Sequence, residues 1–221
     1  VVALAALGWR AKVQWLPDVA EPEHLAALQL YPHPASALDV MLAAAIPRQR
    51  DDWRPYSSWT VSSADIALIG ARAAGVGVTT RRVETMSDVQ RVVAQSVSRH
   101  VAGSAEAPRD ERGLALAGAQ ATEDNAVVLA LGTRDDTRLA RLRAGQAMSL
   151  AVLSATAVGL ATCPIMEPLA SAETRDALHD NLFSIVGFPQ MLLRIGWPPV
   201  GADPLPVTGT SAESGRMPVA G

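Results

Sequence analysis

The stretch Arg143-Ala-Gly-Gln-Ala-Met-Ser-Leu150-Ala-Val-Leu-Ser-Ala-Thr-Ala-Val-Gly159-Leu-Ala-Thr-Cys-Pro-Ile-Met-Glu167 contains the longest uncharged run of the chain, Ala144 to Met166. A run of that length raises the question of a membrane span. Gln146, Ser149, Ser154, Thr156 and the many Ala and Gly residues dilute it too far for one, so no membrane partner is expected. Leu139, Leu142, Leu150, Leu153 and Leu160 recur near helical spacing. This predicts a long central helix running to Leu160, buried on nearly all sides, followed by a short strand near Thr162–Ile165. Small side chains on such a helix let another helix approach closely. A helix apolar all round belongs at a domain or subunit interface.

Working outward, elements alternate in type. Asn125–Leu131 and Gln190–Gly196 read as strands on either side of the long helix, and Ser171–Asn181 reads as a helix with Ser171 as its cap. Nearer the start, Val1–Gly8 is the end of a helix stopped by glycine, and Lys12–Leu16 is a strand ended by Pro17-Asp18. Ser36–Ile46 is a helix. Ser62-Ser63-Ala64-Asp65 caps a helix that runs to Ala74, Gly75-Val-Gly77 is a turn, and Val76–Val83 is strand-like. Ser87–Val101 carries a helical stripe of valines, Gly103–Gly113 is the best linker, and the Pro/Gly/Ser-rich stretch after Trp197 has no periodicity. Helices and strands mixed without regular βαβ spacing predict an α+β fold.

Composition narrows the function. The 221 residues are 49% hydrophobic, enough for one ordinary core. With 19 Lys+Arg against 22 Asp+Glu the net charge is −3, so no basic surface asks for nucleic acid. Lys12 is the sole lysine, and arginine supplies the remaining basic side chains. Cys163 stands alone, which excludes an intramolecular disulfide and fits a reducing, cytoplasmic compartment. His24, His33, His100 and His179 lie far apart, so no zinc spacing exists and no metal is expected. The apolar start Val1 to Leu7 lacks a charged leader and is interrupted by Trp9-Arg10, unlike a signal peptide. The chain opens on Val1, not Met, and is read as processed or partial.

Nucleophile elbows, phosphate-binding P-loops and CxxC pairs are missing, and no nucleophile stands beside a base. The pairs Asp51-Asp52 and Asp135-Asp136 read as solvated turn or cap residues. An enzyme built this way leaves its chemistry to a cofactor, with no catalytic side chain required.

Four short signals occur in order: Leu131-Gly-Thr133, Ala144-Gly145, Gly159-Leu-Ala-Thr162 and Gly196-Trp-Pro198. With Asp135 to Met148, Ala155 to Ile165 and Gly187 to Gly196, this set resembles the nitroreductase-like flavoproteins of the Acg type, chiefly their C-terminal half. Leu4 to Val13, Leu16-Pro-Asp18, Ala45-Ile-Pro-Arg-Gln-Arg50 and Trp59-x-Val61 also look like this family. The resemblance implies a nitroreductase-like α+β fold, with a central mixed sheet flanked by helices and a long apolar interface helix. It implies residues 1–35 as the remnant of a preceding nitroreductase-like half, 36–199 as the nitroreductase-like domain and 200–221 as an extended or disordered tail. Members of this type look like two such halves fused in one chain, so the expected assembly is a homo-oligomer or an intrachain pseudo-dimer whose N-terminal half is missing.

The resemblance also implies a cofactor and its contacts. FMN would be bound and NAD(P)H would reduce it, with a nitroaromatic or quinone-like small molecule as electron acceptor. Arg48, Arg50 and Arg54 fall where the family has its phosphate-binding arginines, and a phosphate dianion needs such convergent donors. Asp51 stands where a hydroxyl is expected, and a carboxylate repels phosphate, so solvated surface arginines are the competing reading. Pro164, Ile165, Met166 and Glu167 correspond to the segment whose backbone N–H groups address the flavin edge, and Arg216 to a basic residue near the family's C-terminus. The alternatives are a non-catalytic flavin-binding or sequestering protein, a degenerate dimerisation half, or an α+β domain that merely dimerises.

Overall fold

The computed structural model describes residues 1–83, 125–183 and 187–201. Two readings, the helix Ser87–Val101 and the linker Gly103–Gly113, lie outside the described residues, as do Arg216 and most of the C-terminal stretch.

Among the described residues four strands form the central sheet: β3 (Thr79–Arg82), β4 (Val127–Thr133), β5 (Ala161–Ile165) and β6 (Phe188–Gly196). Their order is β3-β4-β6-β5 and each neighbouring pair is antiparallel. The one parallel contact among the described residues is an isolated bridge of Asp51 with Thr162 at the β5 edge. Every residue of β4 is buried, as expected for a strand covered on both faces. Val127, Leu129 and Leu131 of β4, with Leu193 and Ile195 of β6, enter one core cluster, while Val128, Ala130 and Leu192 enter the other. The period-2 alternation thus splits one hydrophobic run between two layers.

The first layer is made by α3 (Ser63–Ala74) and α4 (Arg138–Ala157). Ser62 caps α3 through Asp65 N, and Gly77 turns the chain at φ +82° before β3. Thr137 caps α4 by accepting from Ala140 N. Its Ala140, Ala144, Ala147, Ala151 and Ala155 are buried, and these small side chains bring the helix close to its neighbours. The second layer holds a 3₁₀ turn at Glu167–Ala170 and α5 (Ala172–Leu182), capped by Ser171 and seated through Leu169 and Leu178.

The N-terminal residues form a short helix and a second, two-stranded sheet. Helix α1 (Val2–Ala6) ends at Gly8, φ +83°, and leads into β1 (Trp9–Trp15), which pairs antiparallel with β2 (Ala26–Pro32). Sequence periodicity did not mark β2. Most of its residues are exposed, so backbone pairing sustains it without the apolar alternation that betrays a half-buried strand. Helix α2 (Ala37–Ala45) opens with a capping box of Ser36 and Asp39 and packs Leu42 and Ala45 against Leu153 of α4.

Several boundaries differ from expectation. The long helix ends at Ala157, three residues before Leu160, because Gly159 at φ +87° and Leu160 fold back onto Ala155 and Thr156. Strand β3 is shorter than Val76–Val83, since Val76 and Gly77 belong to the turn. Helix α4 is not enclosed on all sides by the described residues: one side faces an apolar groove of about 1000 Å³ bordered by α1, α2 and Arg72. Among the described residues no helix is long and apolar enough to cross a membrane.

Candidate functional site

Helix α2 runs into a 3₁₀ turn at Ile46–Arg48, with Pro47 fixing its start. The chain then extends along the β5 edge, where Asp52 N donates to Thr162 O at 2.9 Å. This stitches the arginine-bearing segment to the strand that carries Pro164 and Ile165. Arg48, Arg50 and Arg54 come together around one cleft of about 440 Å³, completed by Thr156, Gly159 and Pro198. A volume of this size lies at the lower end of the range typical for small-molecule sites.

The three guanidinium groups are not equivalent. Arg54 is engaged internally: its Nε and Nη2 donate to Asp52 Oδ1 and Oδ2 at 2.9 and 2.8 Å, and its backbone N donates to Oδ1 at 3.0 Å. Asp52 is only 3% exposed. The reading of Asp51-Asp52 as solvated turn residues therefore fails for Asp52, whose carboxylate needs Arg54 to be tolerable away from water. Asp51 is exposed and accepts from Gln49 Nε2 at 2.9 Å. Arg48 donates Nε to Ala44 O at 3.1 Å, and Arg50 donates Nη1 to Gln49 O. Arg50 Nε is buried without a hydrogen-bond partner. An orphaned buried donor beside a cleft is the feature a bound anion resolves. The residues present thus fit a phosphate, with Arg48 and Arg50 as donors and Arg54 as the partner of Asp52.

The flavin-edge segment distributes differently. Ile165 is wholly buried, and Pro164 is half-buried and has no backbone N–H, so neither presents a donor to a flavin edge. Met166 is 46% exposed and Glu167 opens the 3₁₀ turn. Met166 lines a second cleft of about 420 Å³ with Arg141, Arg175, Phe188 and Gln190. Ala161 lines the arginine cleft and Met166 follows the far end of β5, so the two clefts flank that strand, roughly 16 Å apart by strand rise. The structure therefore unites the three arginines but places Met166 elsewhere.

Burial, then Asp51, pushes the Cys163 thiol far up, so it stays protonated and inert. Asp135 behaves as a turn residue, accepting from Thr137 N and Oγ1, and hydrogen bonds from Thr137 hold it below the usual carboxylate range. Asp136 takes a bidentate pair from Arg141 at 2.9 and 2.7 Å and a bond from Gln190 at 2.9 Å. Those donors, Arg141 first, pull its pKa down to about 2.

Periodicity missed Arg194, which lies 2% exposed in β6 and hydrogen-bonds the backbone of Asp52 and Arg54. A lone charge inside Met191-Leu-Leu-Arg194-Ile-Gly196 was its signal, because an arginine is buried only with partners.

Comparison with known proteins adds to this geometry. A model of the family described as "Nitroreductase family" matches residues 34–197. A Mycobacterium tuberculosis H37Rv protein named as an NAD(P)H nitroreductase is 46% identical over 242 aligned positions, covering 94% of this chain and 70% of the relative. The NAD(P)H nitroreductase named acg from the same organism is 38% identical over 85 positions, 38% of this chain and 25% of that one. In fold, the chain is similar to a Bacteroides fragilis nitroreductase crystallised with bound FMN, with TM-score 0.52 and 16% identity over 81% of this chain and 98% of the other. From the extent of these matches, the chain belongs to the nitroreductase family.

Proposed function

We propose that this chain is an FMN-dependent NAD(P)H oxidoreductase of the nitroreductase type, reducing nitroaromatic or quinone-like acceptors. The observation that carries this reading is the arginine cleft. Arg48 and Arg50 converge beside the β5 edge, and Arg50 Nε is buried and lacks an acceptor. Family membership, and the FMN named with the Bacteroides fragilis protein, support reading a flavin phosphate as the anion such a cleft would hold. When bound, FMN supplies the redox chemistry, accepting hydride from NAD(P)H and passing reducing equivalents to the acceptor. The chain's own residues bind and orient: Arg48 and Arg50 would hold the phosphate, Asp52 keeps Arg54 in place, and the Met166–Glu167 backbone just beyond β5 would face the flavin edge. Cys163 moves no proton, and no side-chain acid or base is needed.

The cofactor site of this chain is proposed to be completed by a second nitroreductase-like unit, in a homo-oligomer or in a longer chain, seated on the groove beside α4. The acceptor is a small molecule, with no role for nucleic acid or membrane. The location is cytoplasmic, in keeping with a single protonated thiol.

One observation favours a second reading, a non-catalytic flavin-binding or sequestering protein: Asp52 occupies the guanidinium of Arg54 and lowers the positive charge of the cleft. Absorbance from roughly 300 to 550 nm on purified protein, before and after incubation with FMN, tests for the cofactor. Oxidation of NADH or NADPH with a quinone acceptor, faster than with free FMN, is the result expected of the oxidoreductase. Flavin bands without such turnover would leave the sequestering protein, and a chain that rejects FMN would overturn both.

A further inference from the structure

Arg194 is the largest fully buried side chain among the described residues, and it sits in β6, between β4 and β5. Its strand neighbours Leu192, Leu193 and Ile195 are wholly buried. An apolar side chain of similar volume would fill this place without the cost of removing a guanidinium from water. What arginine adds is a planar fork of donors. Nη1 and Nη2 both donate to Arg54 O at 3.2 Å, and Nη1 reaches Asp52 O at 3.5 Å. The guanidinium also lies 3.7 Å from the centroid of the Tyr56 ring, a cation–π stack. The Tyr56 hydroxyl donates to the same Asp52 carbonyl at 3.0 Å. Two residues along the strand, on the same face, Gly196 leaves room for that ring, since a Cβ there would lie 2.8 Å from Tyr56 Cγ.

The backbone of the arginine segment is thus fixed from two sides. β5 holds Asp52 N through Thr162 O, β6 holds the carbonyls of Asp52 and Arg54 through Arg194, and Tyr56 of the same segment stacks on that guanidinium while bonding Asp52 O. Arg50 precedes this pinned stretch by two residues, and Asp52 and Arg54 themselves line the cleft. We propose that Arg194, stacked on Tyr56, is a positioning residue that holds the Asp52–Arg54 backbone so that the cleft selects the phosphorylated form of the flavin. This rests on the flavin reading above and goes beyond it by making phosphate selectivity depend on a residue outside the lining of the cleft.

The experiment titrates the full chain with FMN and with riboflavin, which lacks the phosphate, following flavin fluorescence. The variants are Arg194→Gln, Arg194→Lys and Tyr56→Phe. The wild type is expected to prefer FMN. Arg194→Gln should weaken FMN binding about tenfold, as small displacements of positioning groups do, while leaving riboflavin unchanged. Arg194→Lys should fall between, since a point-like ammonium lacks the planar fork that bonds both carbonyls while stacking on Tyr56, and Tyr56→Phe should shift the ratio in the same direction. An unchanged FMN-to-riboflavin ratio in Arg194→Gln, or an equal loss of both flavins, overturns the positioning role. If circular dichroism shows Arg194→Gln unfolded, the ratios of Arg194→Lys and Tyr56→Phe decide, and wild-type ratios in both reject the proposal. A wild-type chain that does not prefer FMN overturns the phosphate cleft itself, an outcome distinct from a selective wild type with unaltered variants.

Discussion

Among single residues, the contrast between Arg50 and Arg54 shows how identical side chains acquire different tasks from their neighbours. Arg50 has a buried nitrogen without an acceptor, whereas Arg54 is held bidentately by Asp52. Arg50→Ala should therefore weaken FMN binding by tenfold or more, since a charge-assisted hydrogen bond contributes about 1.5–3 kcal/mol, with little change in melting temperature. Arg54→Ala should do the reverse. It strands a buried carboxylate at a cost of about 1–3 kcal/mol, near the lower end because Arg54 is itself 32% exposed. Paired thermal melts and fluorescence titrations separate the two, and equal behaviour of the variants would contradict the assignment. In the sequence the arginines were visible, but which of them was already occupied was not. That depends on whether Asp51 or Asp52 turns inward, a choice made by the bridge to Thr162.

Helix α4 is the element on which the architecture turns, and its N-terminus is tied down twice. Thr137 caps it, so Thr137→Ala should cost about 1 kcal/mol, read as a lower denaturation midpoint with unchanged slope. Asp136 joins the first turn to β6 by accepting from Arg141 and from Gln190. Its folded pKa of about 2 lies below the usual 3.8, so the stabilisation is fully present above pH 3.8 and is lost as pH falls toward 2. Both partners are largely exposed, which limits the contribution to about 1 kcal/mol or less. The melting difference between wild type and Asp136→Asn should thus be constant at neutral pH and close between pH 3.8 and about 2. A difference that widened on acidification would refute this linkage. Element types were legible where caps and apolar periodicity coincide, as at Ser36, Ser62 and Ser171, whereas the Thr137 cap was not picked out. Strand β2 was not, because neither of its faces is well buried.

At the scale of the molecule, exposed apolar side chains collect on the N-terminal unit and on α2, among them Leu28, Leu30, Tyr31, Leu38, Val40 and Met41. With the groove beside α4, they give the described residues an apolar face of the kind a second unit covers. Multi-angle light scattering should accordingly report an assembly larger than one chain, and a Leu150→Asp substitution on the groove wall should shift it toward the monomer. A clean wild-type monomer would contradict the homo-oligomer and leave the second unit to a longer chain. The sequence by itself determined the α+β class, the long helix with its small-residue face, and the ordered short signals of the family. These depend on local period, caps and glycine turns, which a chain carries in neighbouring residues. Only the tertiary structure decided that Arg48, Arg50 and Arg54 share a cleft, that Met166 lies in another, and that Arg194 braces the segment between. Those relations set the arginine segment against β5 and β6, more than a hundred positions along the chain, through sheet register, and register is fixed when strands pair and bury their faces together, not by any one stretch of chain.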